Sequence, residues 1–244
     1  TGLDITSEKF GPYEIIIHEH AMGNERHMQE MKKGELVNAR VGITTFERES
    51  SLITIKIPIR RGLLNYRLLL VNKSELSKFE GIETLEQLTK LKVGLVDRWI
   101  TSDILQHHNF NLLRIPDFES LMRMLMAKRY DFTVRGVSEI YTELDLAVAN
   151  GADYAVVPNL GLYINSPTYL FISKRYPKLA KRIETGFELM LKNGQFQQIF
   201  FKWYQKSIDR ANLKTRKFIN LENPLLPFNT PTDRKELWFQ AQID

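Results

Sequence analysis

The side chains that most often carry out catalysis or bind metals are few in this sequence. His18 and His20 would share one face of a strand, but a zinc site needs more ligands than two histidines. Asp103 and His107 are one helical turn apart, a spacing that is typical of an exposed pair. The sequence has no phosphate-binding glycine loop, no nucleophile elbow, no metalloprotease helix and no cysteine. We therefore expect no catalytic residue, no metal site and no cofactor.

Two arginines have a more informative placement. The segment 33–40 resembles the segment 128–135, because in each a methionine-bearing helix leads into a short strand that ends at an arginine, Arg40 or Arg135. This repetition indicates two similar lobes that face one cleft, each with a cation at the end of a strand; chance similarity is the alternative. If Arg135 faces the cleft, the pocket favours an anionic ligand. The alternative for Arg135 is a structural ion pair.

Composition and charge exclude several classes of protein. The 244 residues are 43% hydrophobic and 26% charged, which is typical of a soluble globular protein. No stretch approaches the roughly 20 apolar residues that a membrane helix needs. The net charge is +5, but basic residues are spread among acidic ones, so we expect no nucleic-acid partner. The densest basic run, 175–182, has near-helical spacing and predicts a solvated helix face.

Hydrophobic patterns predict alternating strands and helices, which is typical of an α/β protein with a parallel-rich sheet covered on both faces. From Thr215 onwards three X-Pro pairs exclude long regular elements, and the apolar content predicts an extended strap packed over a lobe. The predicted strands are 13–17, 36–41, 53–59, 66–71, 92–96, 111–115, 131–134, 154–157 and 169–173, and the predicted helices are 24–33, 84–88, 102–108, 118–128, 138–149, 177–192 and 196–204.

Four stretches between residues 10 and 204 follow one another in an informative order. They are Met31–Gly34 with Thr44–Glu49, then Tyr66–Asn72, then Thr84–Leu88 with Lys92–Leu95, and finally Tyr176–Leu179 with Gly194–Phe196 and Lys202–Tyr204. Their order resembles that of the family 3 bacterial extracellular solute-binding proteins, the amino-acid-binding type of periplasmic receptor.

This resemblance implies a fold and a division of the chain. The fold is the α/β, two-lobed type II periplasmic binding protein fold with two crossover hinge strands, near 70–73 and 165–173. Lobe one is then 1–71 plus 167–244, and lobe two is 72–166. The family normally has a strand and a long helix before the segment that matches Tyr13, whereas only about ten residues precede it here. We expect the first strand to be missing or to lie beyond this fragment.

The resemblance also implies a set of ligand-binding residues. Arg48 matches the arginine that binds the ligand carboxylate, and its planar donors suit that role. Gly136 stands where the family places the aspartate for the ligand ammonium, so a standard amino acid is doubtful and an anion is favoured. For each residue the alternative is a packing, turn or surface role. The implied ligand-binding residues are Thr44, Thr45, Arg48, Arg26 at the rim of lobe one, Trp99 and Thr101 after strand 92–96, and Arg135.

The expected function is that of a periplasmic solute-binding protein that closes on a small, carboxylate-bearing ligand for uptake or sensing, and not an enzyme. Its expected partners are an anionic small molecule and either the membrane permease of an ABC transporter or a membrane receptor. We expect the protein itself to be a monomer. No export signal opens the sequence given, and the lack of cysteine fits the periplasm. The alternatives are the ligand-sensing domain of a membrane receptor and the effector domain of a LysR-type regulator. An N-terminal winged helix would support the LysR-type alternative.

The resemblance leads to a first testable prediction, which concerns motion. A ligand that contacts both lobes only in a closed state stabilises that state. We expect small-angle scattering to show a smaller radius of gyration at saturating solute. An unchanged radius would contradict closure.

Overall fold

The computed structural model of the protein describes residues 1–17, 22 and 24–241. The chain divides into two compact units. Unit 1 comprises the described residues of Thr1–Gly62 together with Pro167–Gln205 and Leu226–Phe239, and unit 2 comprises Leu63–Ser166, Lys206–Leu225 and residues 240–241. No helix among the described residues is long and apolar enough to cross a membrane.

Unit 1 is built on a three-stranded antiparallel sheet. Strand Thr168–Ile172 lies in the middle and pairs with Ala39–Ile43 on one side and with Ile53–Ile55 on the other. Side chains alternate between the two faces of a strand, so Phe171 packs in one apolar cluster and Ile172 in another. The helices of unit 1 are Ser7–Phe10, Asn24–Lys33, Phe46–Ser51, Pro177–Lys192 and the first part of Gln195–Ala211.

Unit 2 is built on a six-stranded mixed sheet. Its central strand Tyr66–Asn72 is buried at all seven positions, which explains why its sequence is continuously apolar rather than alternating. In sheet order the strands are Asn111–Ile115, Lys92–Val96, Phe132–Gly136, Tyr66–Asn72, Tyr154–Ile164 and Lys217–Leu221. The helices of unit 2 are Leu85–Thr89, Ile100–His107, Phe118–Met126, Val137–Ala149 and the last part of Gln195–Ala211.

The α/β class is confirmed, but the prediction of a parallel-rich sheet was wrong for unit 1. Its three strands are all antiparallel, since the middle strand returns from a distant part of the chain instead of through a helical crossover. In unit 2, strand Lys92–Val96 is parallel to both its neighbours, whereas Tyr66–Asn72 is antiparallel to both of its own.

The predicted strand 13–17 is absent. The segment has no regular secondary structure, and Ile15, Ile16 and Ile17 are 67%, 83% and 80% exposed. A strand requires a neighbour to satisfy its backbone groups, and no described strand pairs with this segment. The strand prediction from β-branched residues was therefore wrong for lack of a partner.

The C-terminal tail also departs from its prediction, because it divides between the units. Residues 226–239 belong to unit 1, where Leu237 is buried. Strand Lys217–Leu221 instead pairs in parallel with Tyr154–Ile164 in unit 2. Ile219 and Leu221 enter the core of that unit, and this burial of apolar surface explains the position of the strand.

The two units differ from the expected lobes at their boundaries. The chain enters unit 2 at Leu63 and leaves it at Ser166, and residues 206–225 return to it. Strand Tyr66–Asn72 belongs to unit 2 because it is hydrogen bonded on both sides to strands of that sheet. The exact lobe boundaries and hinge strands stay a prediction.

Candidate functional site

The two predicted threonines lie in the turn between strand Ala39–Ile43 and helix Phe46–Ser51 of unit 1. Thr45 caps the helix, and its hydroxyl accepts a hydrogen bond from the backbone N–H of Arg48 at 3.3 Å. Thr44 is fully buried, and its hydroxyl donates to Glu49 Oε1 at 2.6 Å. Both hydroxyls therefore shape the turn that presents Arg48, and their contact with a ligand stays a prediction.

Arg48 lies on this short helix with its guanidinium only partly covered. Its Nη1 donates to the carbonyl of Ile43, and within the described residues this is its one side-chain hydrogen bond, with no ion pair. A guanidinium has five N–H donors, so most of the donors of Arg48 remain for a ligand. Burial, and then the positive charge of Arg40, lowers the pKa of Arg48 below its usual value. The residue stays protonated, and the charges of Arg40 and Arg48 repel one another.

Arg135 has a different environment in unit 2. Its Nε donates to Glu143 Oε2 at 2.6 Å, its Nη2 donates to Glu143 Oε1, and Glu139 Oε2 lies 3.4 Å from Nη2. Burial acts to lower the pKa of Arg135, but the hydrogen bonds to Glu143 and the charge of Glu139 outweigh it and raise that pKa. The guanidinium thus forms an ion pair with Glu143, and a contact of Arg135 with a ligand stays a prediction.

Trp99 is brought together with Arg135. The guanidinium carbon lies 4.3 Å from the centre of the Trp99 ring and 5.3 Å from that of Phe118, distances typical of cation–π contacts. Trp99 stands just before helix Ile100–His107, and the nearby Thr101 is buried in that helix. Arg135 therefore fixes the orientation of the indole, and ligand contacts of Trp99 and Thr101 stay predictions.

Gly136 lies against the side chain of Leu64. A β-carbon at this position would lie 2.5 Å from Leu64 Cδ1, so an aspartate here would require the Leu64 side chain to move. The backbone N–H of Gly136 donates instead to Glu139 Oε2 at 3.3 Å. A carboxylate is thus present beside this position, supplied by the following helix.

The remaining predicted residues lie elsewhere. Arg26 is exposed on helix Asn24–Lys33 of unit 1, and its role at the rim stays a prediction. His18 and His20 lie outside the described residues. In the part of the chain that the structure describes, no group of three histidines or acids could hold a metal ion.

Two acidic residues and one aromatic pair were not singled out from the sequence. Glu139 and Glu143 lie on helix Val137–Ala149, four and eight positions after Arg135. Because residues at this spacing share one face of a helix, the sequence could have indicated that both acids lie on the same side. Phe228 of the tail lies 4.9 Å from Phe46, ring centre to ring centre, and no local pattern connects residues so far apart in the chain.

The ion pair of Arg135 leads to a prediction on stability. Glu143→Ala should lower the free energy of unfolding by about 2–3 kcal/mol, because it leaves a buried guanidinium with the longer Glu139 contact as its one carboxylate, beside the rings of Trp99 and Phe118. Urea unfolding followed by circular dichroism measures this change. The matched control is Glu119→Ala, which removes a solvent-exposed pair with Arg123 and should change stability by less than about 0.5 kcal/mol. Equal effects of the two substitutions would contradict the structural role of Glu143.

Neither a protein-family model nor a curated protein sequence matches this chain. Solved structures do match it. An ancestral arginine-binding protein bound to arginine is 18% identical with a TM-score of 0.57, and the match covers 83% of this chain and 87% of that one. An amino acid ABC transporter substrate-binding protein from Streptococcus pneumoniae, bound to L-arginine, is 14% identical with a TM-score of 0.57, over 78% of this chain and 75% of that one.

A third match is a histidine kinase sensor domain with similarity to periplasmic binding proteins. It is 17% identical with a TM-score of 0.53, and the match covers 74% of this chain and 75% of that one. These identities are low, so the likeness is one of fold. The chain therefore has the α/β fold of the two-lobed periplasmic binding proteins.

Proposed function

We propose that this chain is a solute-binding protein that takes a small, carboxylate-bearing ligand through Arg48 and does not alter it chemically. The fold supports this proposal, since the matching structures are those of binding proteins and a sensor domain. The amino acids bound in two of them carry an α-carboxylate, the group that the proposed site would bind.

The single observation that carries the proposal is the contrast between two arginines. Arg135 is hydrogen bonded to the carboxylate of Glu143, whereas Arg48 is hydrogen bonded to no carboxylate of a described residue and only experiences the charge of Glu47. A partly buried guanidinium without a hydrogen-bonded carboxylate retains a desolvation cost that a bidentate ligand carboxylate would offset. Arg48 is therefore the better anion-binding residue of the two.

The electrostatics of unit 1 favour the same ligand class. After burial, the charge of Arg40 is the larger electrostatic effect on Arg48 and acts to lower its pKa, while the charge of Glu47 acts to raise it. A ligand anion near Arg48 would offset the effect of Arg40, whereas a cation would add to it. An amino acid with a cationic side chain can still bind if its carboxylate, and not its side chain, meets Arg48.

The biological context is proposed on the same basis. We propose a periplasmic location and delivery of the solute to a membrane permease, and the match to an amino acid ABC transporter substrate-binding protein favours this role. Sensing is the second candidate, favoured by the match to a histidine kinase sensor domain. In both cases the protein acts as a monomer that binds the solute without a cofactor.

Thermal-shift screening tests the proposal. The compounds are mono- and dicarboxylates, amino acids, polyamines and sugars, each against wild-type protein. We expect at least one carboxylate-bearing compound to raise the melting temperature, since a ligand that binds only the folded state stabilises it. Stabilisation by a polyamine or a sugar but by no carboxylate would refute the carboxylate site while leaving a solute-binding role intact.

A further inference from the structure

The C-terminal tail of unit 1 contains a turn that contacts the segment presenting Arg48. This tail turn comprises residues 227–230, and in it the backbone N–H of Thr230 donates to the carbonyl of Pro227 at 3.1 Å. The Thr230 hydroxyl donates to the same carbonyl at 2.7 Å. Pro227 and Thr230 are buried, whereas Phe228 is 93% exposed. The tail turn is therefore a defined loop that its own hydrogen bonds close.

Lys56 connects the tail turn to helix Phe46–Ser51. It follows strand Ile53–Ile55, and its Nζ donates to the carbonyl of Asn229 in the tail turn at 3.1 Å. The same Nζ lies 2.9 Å from Glu49 Oε2, and the side chains of Lys56 and Glu49 are 29% and 12% exposed. Loss of either partner would leave a charge that is largely removed from water, so this ion pair stabilises its own geometry.

Glu49 connects Lys56 to the threonine turn, which is formed by Thr44 and Thr45 before the helix. Its Oε1 accepts a hydrogen bond from the Thr44 hydroxyl at 2.6 Å, and Thr44 is fully buried. Thr45 caps the helix by accepting the backbone N–H of Arg48 at 3.3 Å. A continuous series of contacts thus joins the tail turn, through Lys56 and Glu49, to the residues that position Arg48.

A second contact joins the tail turn to the same helix. The rings of Phe228 and Phe46 lie 4.9 Å apart, centre to centre, in an edge-on arrangement that is favourable between aromatic side chains. Phe46 is the first residue of the helix, two positions before Arg48. The tail turn therefore contacts this short helix in two ways, directly at Phe46 and through Lys56 at Glu49.

We propose that Lys56 and Glu49 are positioning residues of the solute site, which hold the threonine turn against the tail turn so that the tail sets the affinity for the solute without contacting it. This inference rests on the proposed binding of a carboxylate by Arg48. A site that must become ordered when its ligand arrives loses part of the interaction free energy, whereas a site that is already ordered does not.

Hydrogen exchange tests the positioning without any ligand. The reporters are the backbone N–H groups of Thr44, Arg48 and Glu49, each of which donates a hydrogen bond to a nearby oxygen. Lys56→Met keeps an unbranched stem but removes the charge, and we expect it to make these reporters exchange at least about tenfold faster. Lys56→Arg keeps a charged donor and should restore most of the protection.

The matched control is Arg234→Met, which removes a different ion pair of the tail. Arg234 Nη1 and Nη2 donate to the two carboxylate oxygens of Glu188 at 2.8 and 3.1 Å, on helix Pro177–Lys192. We expect the reporters to exchange in this variant as they do in wild type. Equal acceleration in Arg234→Met and Lys56→Met would mean that any loosening of the tail has the same effect, and would overturn the inference.

Thr230→Val tests whether the tail acts through Lys56. It removes the hydroxyl that helps to close the tail turn and keeps nearly the same size. Alone it should speed the exchange of the reporters, and together with Lys56→Met it should add little, because the connection is already broken. The inference is wrong if the two effects are fully additive, or if either substitution leaves the exchange unchanged.

Calorimetric titration with L-arginine and with succinate relates the positioning to binding. A probe that binds wild type should bind Lys56→Met at least about fivefold more weakly and Arg234→Met equally well. An unchanged affinity in Lys56→Met would overturn the inference and leave the solute site of Arg48 intact. If neither probe binds wild type, that result counts against the proposed function, and the exchange measurement alone decides the inference.

Discussion

Replacing Arg48 by alanine is expected to weaken the binding of a carboxylate-bearing solute by on the order of 2–5 kcal/mol, a loss of roughly 30- to 5,000-fold in affinity. The reason is that the ligand carboxylate would lose its bidentate donors and would remain in a partly desolvated site without a counter-charge. Among the described residues, only one side-chain hydrogen bond uses a donor of the Arg48 guanidinium. Isothermal titration calorimetry with a solute found by screening measures the change.

Two controls separate ligand binding from folding. Arg48→Lys keeps the charge but not the planar fork, so its affinity should lie between those of wild type and Arg48→Ala. Arg123→Ala removes a solvent-exposed arginine of unit 2 and should leave the affinity unchanged. If Arg48→Ala retains its melting temperature and binds the solute as tightly as wild type, Arg48 is not part of the site.

Replacing Arg182 by alanine is expected to lower the free energy of unfolding by about 3 kcal/mol. This side chain is only 6% exposed and holds the N-terminal segment of unit 1. Its Nη2 donates to the carbonyls of Leu3 at 3.0 Å and Gly11 at 2.8 Å, and its Nε donates to Thr6 Oγ1 at 3.2 Å. Hydrogen bonds from a charged donor are stronger than neutral ones, and their loss leaves buried acceptors unpaired.

Urea unfolding measures the global effect of Arg182→Ala, and hydrogen exchange of residues 1–12 measures the local one. Both stability and protection of this segment should decrease. Lys178→Ala provides the control, because Lys178 is exposed on the same helix and should change stability by less than about 0.5 kcal/mol. Comparable effects of the two substitutions would contradict the role assigned to Arg182.

Much of the secondary structure could be predicted from local patterns. Strands Lys92–Val96 and Asn111–Ile115 and helices Asn24–Lys33 and Pro177–Lys192 have the predicted bounds. In the last of these, proline stands at the first turn and Asn-Gly follows the end, so local sequence and fold agree. Patterns of this kind depend on a few neighbouring residues and do not need knowledge of the tertiary partners.

The wrong predictions concern segments whose structure or exposure depends on residues far away in the chain. Residues 13–17 have strand-forming side chains but no described strand beside them, and Lys217–Leu221 becomes a strand only by pairing with Tyr154–Ile164. Arg182 belongs to a basic run that predicted a solvated helix face, and this was wrong for Arg182 because the N-terminal segment covers it. Local spacing carries no information on such coverage.

The candidate site was predictable in part. From the order Thr44, Thr45 and Arg48 we predicted an arginine soon after a strand of lobe one. In the structure Arg48 lies on the helix that follows strand Ala39–Ile43, and most of its N–H donors form no hydrogen bond with a described residue. The role of Arg135 could not be fixed, because the sequence does not tell whether an acid four or eight positions later turns toward it. The cation–π contact joins Arg135, at the end of strand Phe132–Gly136, to Trp99, which follows the neighbouring strand Lys92–Val96, and only the folded sheet brings the two together.

The most direct measurement is native mass spectrometry of protein purified gently from its source, with the Arg48→Ala variant prepared in parallel. We expect wild-type protein to carry a small molecule which, once released and identified, bears a carboxylate, and we expect Arg48→Ala to carry none. A wild-type protein that retains a polyamine or a sugar, or a variant that retains the same carboxylate at the same occupancy, would contradict this expectation.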